Sequence, residues 1–140
     1  MSRLLVNYLG LTAMLQLLWE VLQLPLYTLW YDSSTSAIAY AVVHCTAGDV
    51  LIAGFSFLGA HILLRAGDWP ESRYRQAASV SILLGVTYTA FSEWNNTVVT
   101  HSWAYSNWMP TLWGIGLSPI AQWLIIPAFA FWKNFPRRDA

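Results

Sequence analysis

Apolar residues fall in four long stretches that are separated by short polar segments. The stretches cover residues 4–30, 37–64, 77–99 and 110–132. Each is longer than the ~20 residues that a helix needs to cross about 30 Å of hydrocarbon. A lone strand cannot satisfy its backbone hydrogen bonds in lipid, so each span is expected to be helical. The pattern predicts an all-α polytopic membrane protein whose single domain, residues 1–140, is a four-transmembrane-helix bundle.

The composition agrees with this prediction. Hydrophobic residues make up 56% of the chain and charged residues only 10%, whereas about 25% of the residues of a soluble domain are charged. The net charge is zero, and without a large basic patch no nucleic-acid partner is expected. The only cysteine, Cys45, cannot form an intrachain disulfide. The lipid bilayer is therefore the expected surrounding of most of the chain.

Basic residues lie on alternate connections between the apolar stretches. The connections at residues 31–36 and 100–109 contain no Lys or Arg. Because Lys and Arg in short loops are retained on the cytoplasmic side, both termini are predicted to lie in the cytoplasm. The seven basic residues on which this orientation rests are Arg3, Arg65, Arg73, Arg75, Lys133, Arg137 and Arg138.

Three carboxylates and two histidines, His44 and His61, lie inside the apolar stretches. A charge at mid-membrane is unfavourable by at least ~2.5 kcal/mol, so such groups normally face the interior and mark a site. Counting ~1.5 Å per residue places Glu20 and Glu93 about 24 Å from the inner face and His44 about 10 Å below the outer one. These three side chains should meet in the outer third of the bilayer, with Asp49 and Gln122 just beneath them. We predict Glu20, Glu93, His44 and Asp49 as the catalytic residues.

Polar residues recur at helical spacing around these carboxylates. Gln16, Glu20, Gln23 and Tyr27 follow the pattern i, i+4, i+7, i+11 on the first span, which puts them on one face. The aromatic residues at 101–109 are typical of a belt at the membrane interface, and the connection is also aromatic enough to fold back as a lid. The expected substrate-binding residues are Gln16, Gln23, Tyr27, Asn96, Trp103, Tyr105 and Gln122.

The predicted function is acid–base chemistry on a lipophilic substrate such as a polyprenyl, sterol-like or quinone compound. Glu20 and Glu93 would act as the acid and the base, and His44 would move protons or bind a metal. Asp49 and Gln122 would orient His44. Isomerisation, cyclisation or hydration fits best, because these reactions need proton movement and no soluble cofactor.

Other interpretations of the same residues stay open. Carboxylates and imidazoles suit a divalent metal, which Glu20, His44, Glu93 and His101 would hold, although their spacing is not diagnostic. A proton- or metal-coupled transporter, which would usually be a homo-oligomer, could use the same buried acids. The chain could also be an accessory subunit of a larger membrane complex. The simplest alternative is that the polar groups only bond the helices together.

Four segments resemble a family of small bacterial four-span membrane proteins without an assigned function. They are WEVLQLPLY at 19–27, HCTAGDVLIAG at 44–54, EWNNTVVTHSWAYSNWMP at 93–110 and GIGLSPIAQW at 114–123. The resemblance implies a multi-pass protein of the bacterial cytoplasmic (inner) membrane and no particular activity. With four spans, buried acids and many tryptophans, the chain is also similar in architecture to emopamil-binding-type sterol isomerases. The motif order differs from theirs, so no residue role is carried over.

Overall fold

The computed structural model describes residues 2–65 and 72–134 and is mostly helical. The α-helices are α1 (Ser2–Gln23), α2 (Leu29–Asp32), α3 (Thr35–Leu64), α4 (Tyr74–Trp94) and α5 (Leu117–Lys133). A 3₁₀ turn, Leu24–Leu26, follows α1, and a π-helix, Asn95–Val99, continues α4.

The four longest helices pack against one another in a ring. Helix α1 contacts α3 and α5, and α4 contacts the same two helices. At one end of the ring, the Tyr8 ring stacks on Phe131 with centroids 4.4 Å apart. The Tyr74 hydroxyl donates to the Phe131 carbonyl at 2.7 Å, and Arg73 Nη1 donates to the Leu64 carbonyl at 2.6 Å. The starts of α1 and α4 therefore meet the ends of α3 and α5.

Local sequence explains several helix boundaries. Helix α1 ends at Gln23 because Pro25 has no N–H and disfavours helix in the residue before it. The Ser34 side chain accepts a hydrogen bond from the Ala37 N–H at the start of α3, as N-cap residues do. Arg65 ends α3 in the left-handed conformation, with φ 48°, and its N–H bonds the last carbonyls of the helix.

The predicted fourth span starts too early, because α5 begins at Leu117 and not at residue 110. The preceding residues form a hairpin of two short antiparallel strands, β1 (Thr111–Leu112) and β2 (Ile115–Gly116). Trp113 and Gly114 form its turn, with φ values of 52° and 79°. Positive φ at both central residues is the geometry that two-residue hairpin turns favour. Pro110 therefore precedes a strand and does not start a helix.

The first predicted span also differs from the structure at its end. Helix α1 stops at Gln23, and the remainder of the 4–30 stretch is divided between the 3₁₀ turn and α2. The second and third predicted spans agree with α3 and with α4 plus its π-helical continuation to within a few residues. The proline between α1 and α2 accounts for the break, since the hydropathy of the stretch is continuous across it.

Many large apolar side chains are exposed, whereas several polar side chains are buried beside an apolar core. Met14, Phe55 and Ile62 are 71%, 70% and 66% exposed. Two helical segments, Arg3–Leu26 and Thr35–Leu64, are long and apolar enough to cross a membrane, with mean hydropathies of 1.4 and 1.7. The buried polar residues are Thr12, Gln16, Gln23, Ser56, Ser81, Thr89, Glu93 and Gln122.

Candidate functional site

A cavity of about 400 Å³ lies among α1, α3, α4 and α5. Glu20 of α1, Asp49 of α3 and Glu93 of α4 all line it. The expectation that these three carboxyl groups converge from separate helices therefore agrees with the structure. The aromatic side chains of the cavity wall are Tyr27, Tyr88, Trp103 and Trp123.

The Gln122 side chain of α5 connects the helices below this cavity. Its Nε2 lies 2.5 Å from Gln16 Oε1, 3.0 Å from Glu20 Oε1 and 3.2 Å from Asp49 Oδ2. Its carbonyl oxygen accepts from Gln23 Nε2 at 3.3 Å. An amide nitrogen has only two hydrogens, so three acceptors compete for them. This one amide joins side chains of α1, α3 and α5.

Glu20 and Asp49 form a pair of carboxyl groups. The Gln122 Nε2 lies within hydrogen-bond distance of an oxygen of each of them. Asp49 Oδ1 also accepts from Trp123 Nε1 at 3.2 Å, and Glu20 Oε1 accepts from Gln23 Nε2 at 2.9 Å. Among the residues that the structure describes along the cavity there is no Lys or Arg. Because no basic side chain is present among those described residues to neutralise them, the two carboxyl groups avoid mutual repulsion when one of them is protonated.

Glu93 lies in a separate hydrogen-bond cluster on the other side of the cavity. Its Oε2 accepts from the Tyr105 hydroxyl at 2.5 Å and from the Tyr27 hydroxyl at 3.4 Å. The Tyr105 oxygen accepts in turn from the Gly116 N–H at 2.9 Å. Burial raises the pKa of Tyr105, and the neighbouring Glu93 raises this pKa further. The Tyr105 phenol therefore stays protonated, as a donor to Glu93, at neutral pH.

The connection at residues 101–109 folds back over the end of the first helix, as its aromatic composition predicts. The Thr28 N–H donates to the Ala104 carbonyl at 3.0 Å, and the Ser106 N–H donates to the Leu26 carbonyl at 2.9 Å. This connection, called the lid below, places Trp103 in the cavity wall and Tyr105 on Glu93.

His44 lines the same cavity as the carboxyl groups but makes no hydrogen bond to them within the described residues. It is exposed, and its ring stacks on Tyr40 with centroids 5.6 Å apart. Five residues of helix turn through about 140°, so His44 and Asp49 point in different directions from α3. The role of His44 in moving protons stays a prediction.

The residues expected to bind a metal are not brought together. His101 is exposed, and its Nδ1 lies 3.1 Å from the Thr97 carbonyl oxygen. Within residues 2–65 and 72–134, no three His, Cys, Asp or Glu side chains are grouped so as to hold a metal ion. In the predicted set Glu20, His44, Glu93 and His101, the exposed His101 is not among the residues that line the cavity.

Most of the predicted substrate-binding residues do surround the cavity. Gln16 is fully buried but lies behind the wall, where it accepts from Gln122. Tyr105 reaches Glu93 and is not itself part of the wall. The predicted residues that line the cavity are Gln23, Tyr27, Asn96, Trp103 and Gln122.

Two partners in these networks were not predicted. The Trp123 indole binds Asp49, and the Ser118 hydroxyl donates to Gln23 Oε1 at 2.8 Å and accepts from Trp19 Nε1 at 3.2 Å. Tryptophan at the end of an apolar stretch is usually a membrane-interface residue. The sequence therefore contained no indication that Trp123 donates a hydrogen bond in the interior. The spacing of Ser118 and Gln122, i and i+4, was the available signal that both face the same way.

Comparison of the chain with protein-family models, with curated proteins and with solved structures finds no match.

Proposed function

We propose that this chain is a small integral membrane protein that binds a lipophilic molecule in its cavity and acts on it by acid–base chemistry. Isomerisation, cyclisation or hydration is the expected reaction class. The single observation that carries the proposal is that Glu20, Asp49 and Glu93 share one cavity although they come from three helices.

The distribution of side chains supports insertion in a membrane as a four-helix bundle. Only 17% and 22% of the most apolar windows of α1 and α3 are buried, whereas a core helix of a soluble protein is mostly buried. Soluble monomers rarely expose contiguous apolar patches larger than a few hundred Å². Arg3, Arg65, Arg73 and Lys133 lie near helix ends that meet at one end of the ring. The positive-inside rule assigns that end, with both termini, to the cytoplasm.

The two carboxyl clusters provide what an isomerisation needs. A carboxylic acid gives its proton to one carbon of a double bond, and a carboxylate removes a proton from the carbon next to the other one. The double bond thus moves by one position and no cofactor is used. The Glu20–Asp49 pair holds a proton that Gln122 can help to position. Glu93, with its two tyrosine donors, is placed to accept or return the second proton. Gln122 connects Glu20 with Asp49, whereas Glu93 has its own tyrosine donors.

Deuterium incorporation tests this proposal without knowledge of the substrate. Carboxyl protons exchange with heavy water, so an enzyme that protonates carbon will place deuterium in C–H bonds of a lipid. Membranes that contain the protein are incubated in D₂O, and their lipid and pigment extract is analysed by mass spectrometry. We expect one lipid class to gain deuterium, and we expect Glu20→Gln and Glu93→Gln to abolish the gain.

Asp32→Asn is the matched control, because Asp32 is exposed on α2 and outside the cavity. It should incorporate deuterium like the unmodified protein. Glu20→Gln and Glu93→Gln variants that fold normally and leave both the deuterium pattern and the lipid profile unchanged would overturn the enzyme proposal.

A proton-coupled carrier is the second candidate, favoured by the way Gln122 links carboxyl groups on α1 and α3. A carrier would move protons across a bilayer without forming new C–H bonds. Proteoliposomes with an internal pH-sensitive dye distinguish the two functions. Proton flux that Asp49→Asn abolishes, together with no deuterium incorporation, would favour the carrier.

A further inference from the structure

Two hydrogen-bond donors in the cavity wall have no partner among the described residues. Thr89 is only 7% exposed, and its hydroxyl makes no hydrogen bond. The indole N–H of Trp103 is also buried without a partner. Both residues line the cavity. Since buried polar groups in proteins are almost always hydrogen-bonded, these two donors indicate an acceptor that a ligand would supply.

The two donors lie beside Glu93. Thr89 and Glu93 are separated by one helical turn of α4, so their side chains share a face. The Trp103 indole lies near the Glu93 carboxyl but outside hydrogen-bond geometry. Both tyrosine donors, Tyr27 and Tyr105, bind the same oxygen of Glu93, Oε2. The other oxygen, Oε1, is left for a further donor.

We infer that the cavity takes a lipophilic alcohol or ketone whose oxygen lies among Thr89, Trp103 and Glu93. An alcohol oxygen accepts from the Thr89 hydroxyl and the Trp103 indole, and its own hydrogen is donated to Glu93. A ketone accepts from the same two donors. A protonated amine has no lone pair, so it would leave the Trp103 N–H unpartnered. This inference rests on the proposed function, of which it names the substrate class.

The apolar body of the ligand fits along α3. Ala41, Val42 and Ile52 line that side of the cavity together with Gly48. A Cβ atom at Gly48 would meet no other atom within 4 Å. A larger side chain at Gly48 would therefore occupy cavity space without displacing the helices.

Photolabelling in nanodiscs tests the inference with a defined probe. The full chain is incubated with a diazirine analogue of farnesol, and the labelled residues are mapped by mass spectrometry after irradiation. Unlabelled farnesol, the hydrocarbon farnesene and farnesylamine are the competitors. We expect labelling of cavity residues, and we expect farnesol to compete about tenfold better than farnesene, the factor that one well-made hydrogen bond contributes.

Isosteric variants locate the oxygen. Thr89→Val and Trp103→Phe each remove one donor and keep the shape, so each should reduce the advantage of farnesol over farnesene. Gly48→Leu should reduce labelling of the cavity. Gly54→Leu is its control, because a Cβ at Gly54 also meets nothing within 4 Å but the residue does not line the cavity.

The outcomes separate this inference from the proposed function. Equal competition by farnesene, or better competition by farnesylamine, would overturn the inference about oxygen. If farnesol has no such advantage but Gly48→Leu abolishes deuterium incorporation, the acid–base function stands and the substrate belongs to another class. Equally strong labelling of the Gly48→Leu and Gly54→Leu variants would place the probe on the lipid-facing surface. This result would also overturn the inference.

Discussion

Tyr105 in the lid and Glu93 in α4 are joined by a hydrogen bond of 2.5 Å from the phenol to Oε2. The phenol oxygen also accepts from the Gly116 N–H, so one side chain connects the lid, α4 and the strand that precedes α5. A Cβ at Gly116 would lie 3.0 Å from the Tyr105 ring, which shows how closely the ring is held. The position of Glu93 in the cavity is therefore coupled to the position of the lid.

Replacing Tyr105 with Phe should destabilise the protein by about 1–2 kcal/mol, because Glu93 and the Gly116 N–H each lose a partner. Tyr27 remains as a donor to Glu93, which limits the loss. The free energy of unfolding in detergent measures the effect, and faster proteolysis within residues 101–109 should accompany it.

Tyr31→Phe provides the comparison for this variant. The Tyr31 hydroxyl donates to the Pro25 carbonyl at an exposed position, where a lost bond changes stability by less than about 0.5 kcal/mol. Equal losses in the two variants would contradict the view that Tyr105 holds the lid to Glu93.

The pH dependence of stability should also depend on Tyr105. Burial and Glu93 raise the pKa of Tyr105 in the folded protein, whereas the unfolded phenol keeps a pKa of about 10. The unfolded state therefore releases this proton first as the pH rises. The contribution of Tyr105 is fully present below about pH 10 and is lost as the pH rises toward the folded pKa.

Unfolding measured between pH 7 and pH 11 checks this prediction. The difference in stability between the unmodified protein and Tyr105→Phe should be constant up to about pH 10 and should shrink above it. The difference between the two proteins removes the contributions of the other tyrosines. A difference in stability that grows with pH would contradict the predicted direction of the pH dependence.

The sequence predicts the helices best where no residue interrupts them. The apolar stretch at 37–64 and helix α3 agree closely, because neither proline nor a tight turn divides it. At 110–116 hydropathy misleads, since the apolar residues of a hairpin satisfy their backbone through β1–β2 pairing and look like the start of a helix. Gly114 in a two-residue turn was the signal that could have indicated the hairpin.

The candidate site was also predicted from the sequence only in part. The heights of Glu20, Asp49 and Glu93 follow from counting residues along continuous helices, and the structure brings all three to one cavity. The direction of His44 was also present in the sequence, in the 140° that separates it from Asp49. The partners of Gln122 were not predictable, because they depend on how each helix is rotated about its axis.

Replacing Gln122 with Met should destabilise the protein more than the same replacement at an exposed glutamine. The change keeps the volume but removes the bonds to Gln16, Gln23 and the two carboxyl groups. Interhelical hydrogen bonds in membranes contribute on average about 0.6 kcal/mol each, so a loss of about 1–3 kcal/mol is expected. Gln76→Met, at an exposed position of α4, should change little.

The measurement is unfolding of both variants by increasing SDS in mixed micelles. A Gln122→Met protein as stable as Gln76→Met would mean that the Gln122 network contributes nothing to stability. In that case, the remaining role of the Gln122 amide would be to position Glu20 and Asp49.

Gly85→Ala tests the packing that places Trp123 against Asp49. A Cβ at Gly85 would lie 2.4 Å from the Trp123 ring, and Trp123 is almost fully buried, at 1% exposed. The ring or the α4 backbone must move, which should destabilise the protein by about 1–3 kcal/mol. Gly54→Ala should instead be neutral or stabilising by up to about 1 kcal/mol, since its Cβ has open space and alanine favours helix. Opposite signs in thermal unfolding of the two variants are expected, and a neutral Gly85→Ala would show that α4 and α5 do not pack this closely.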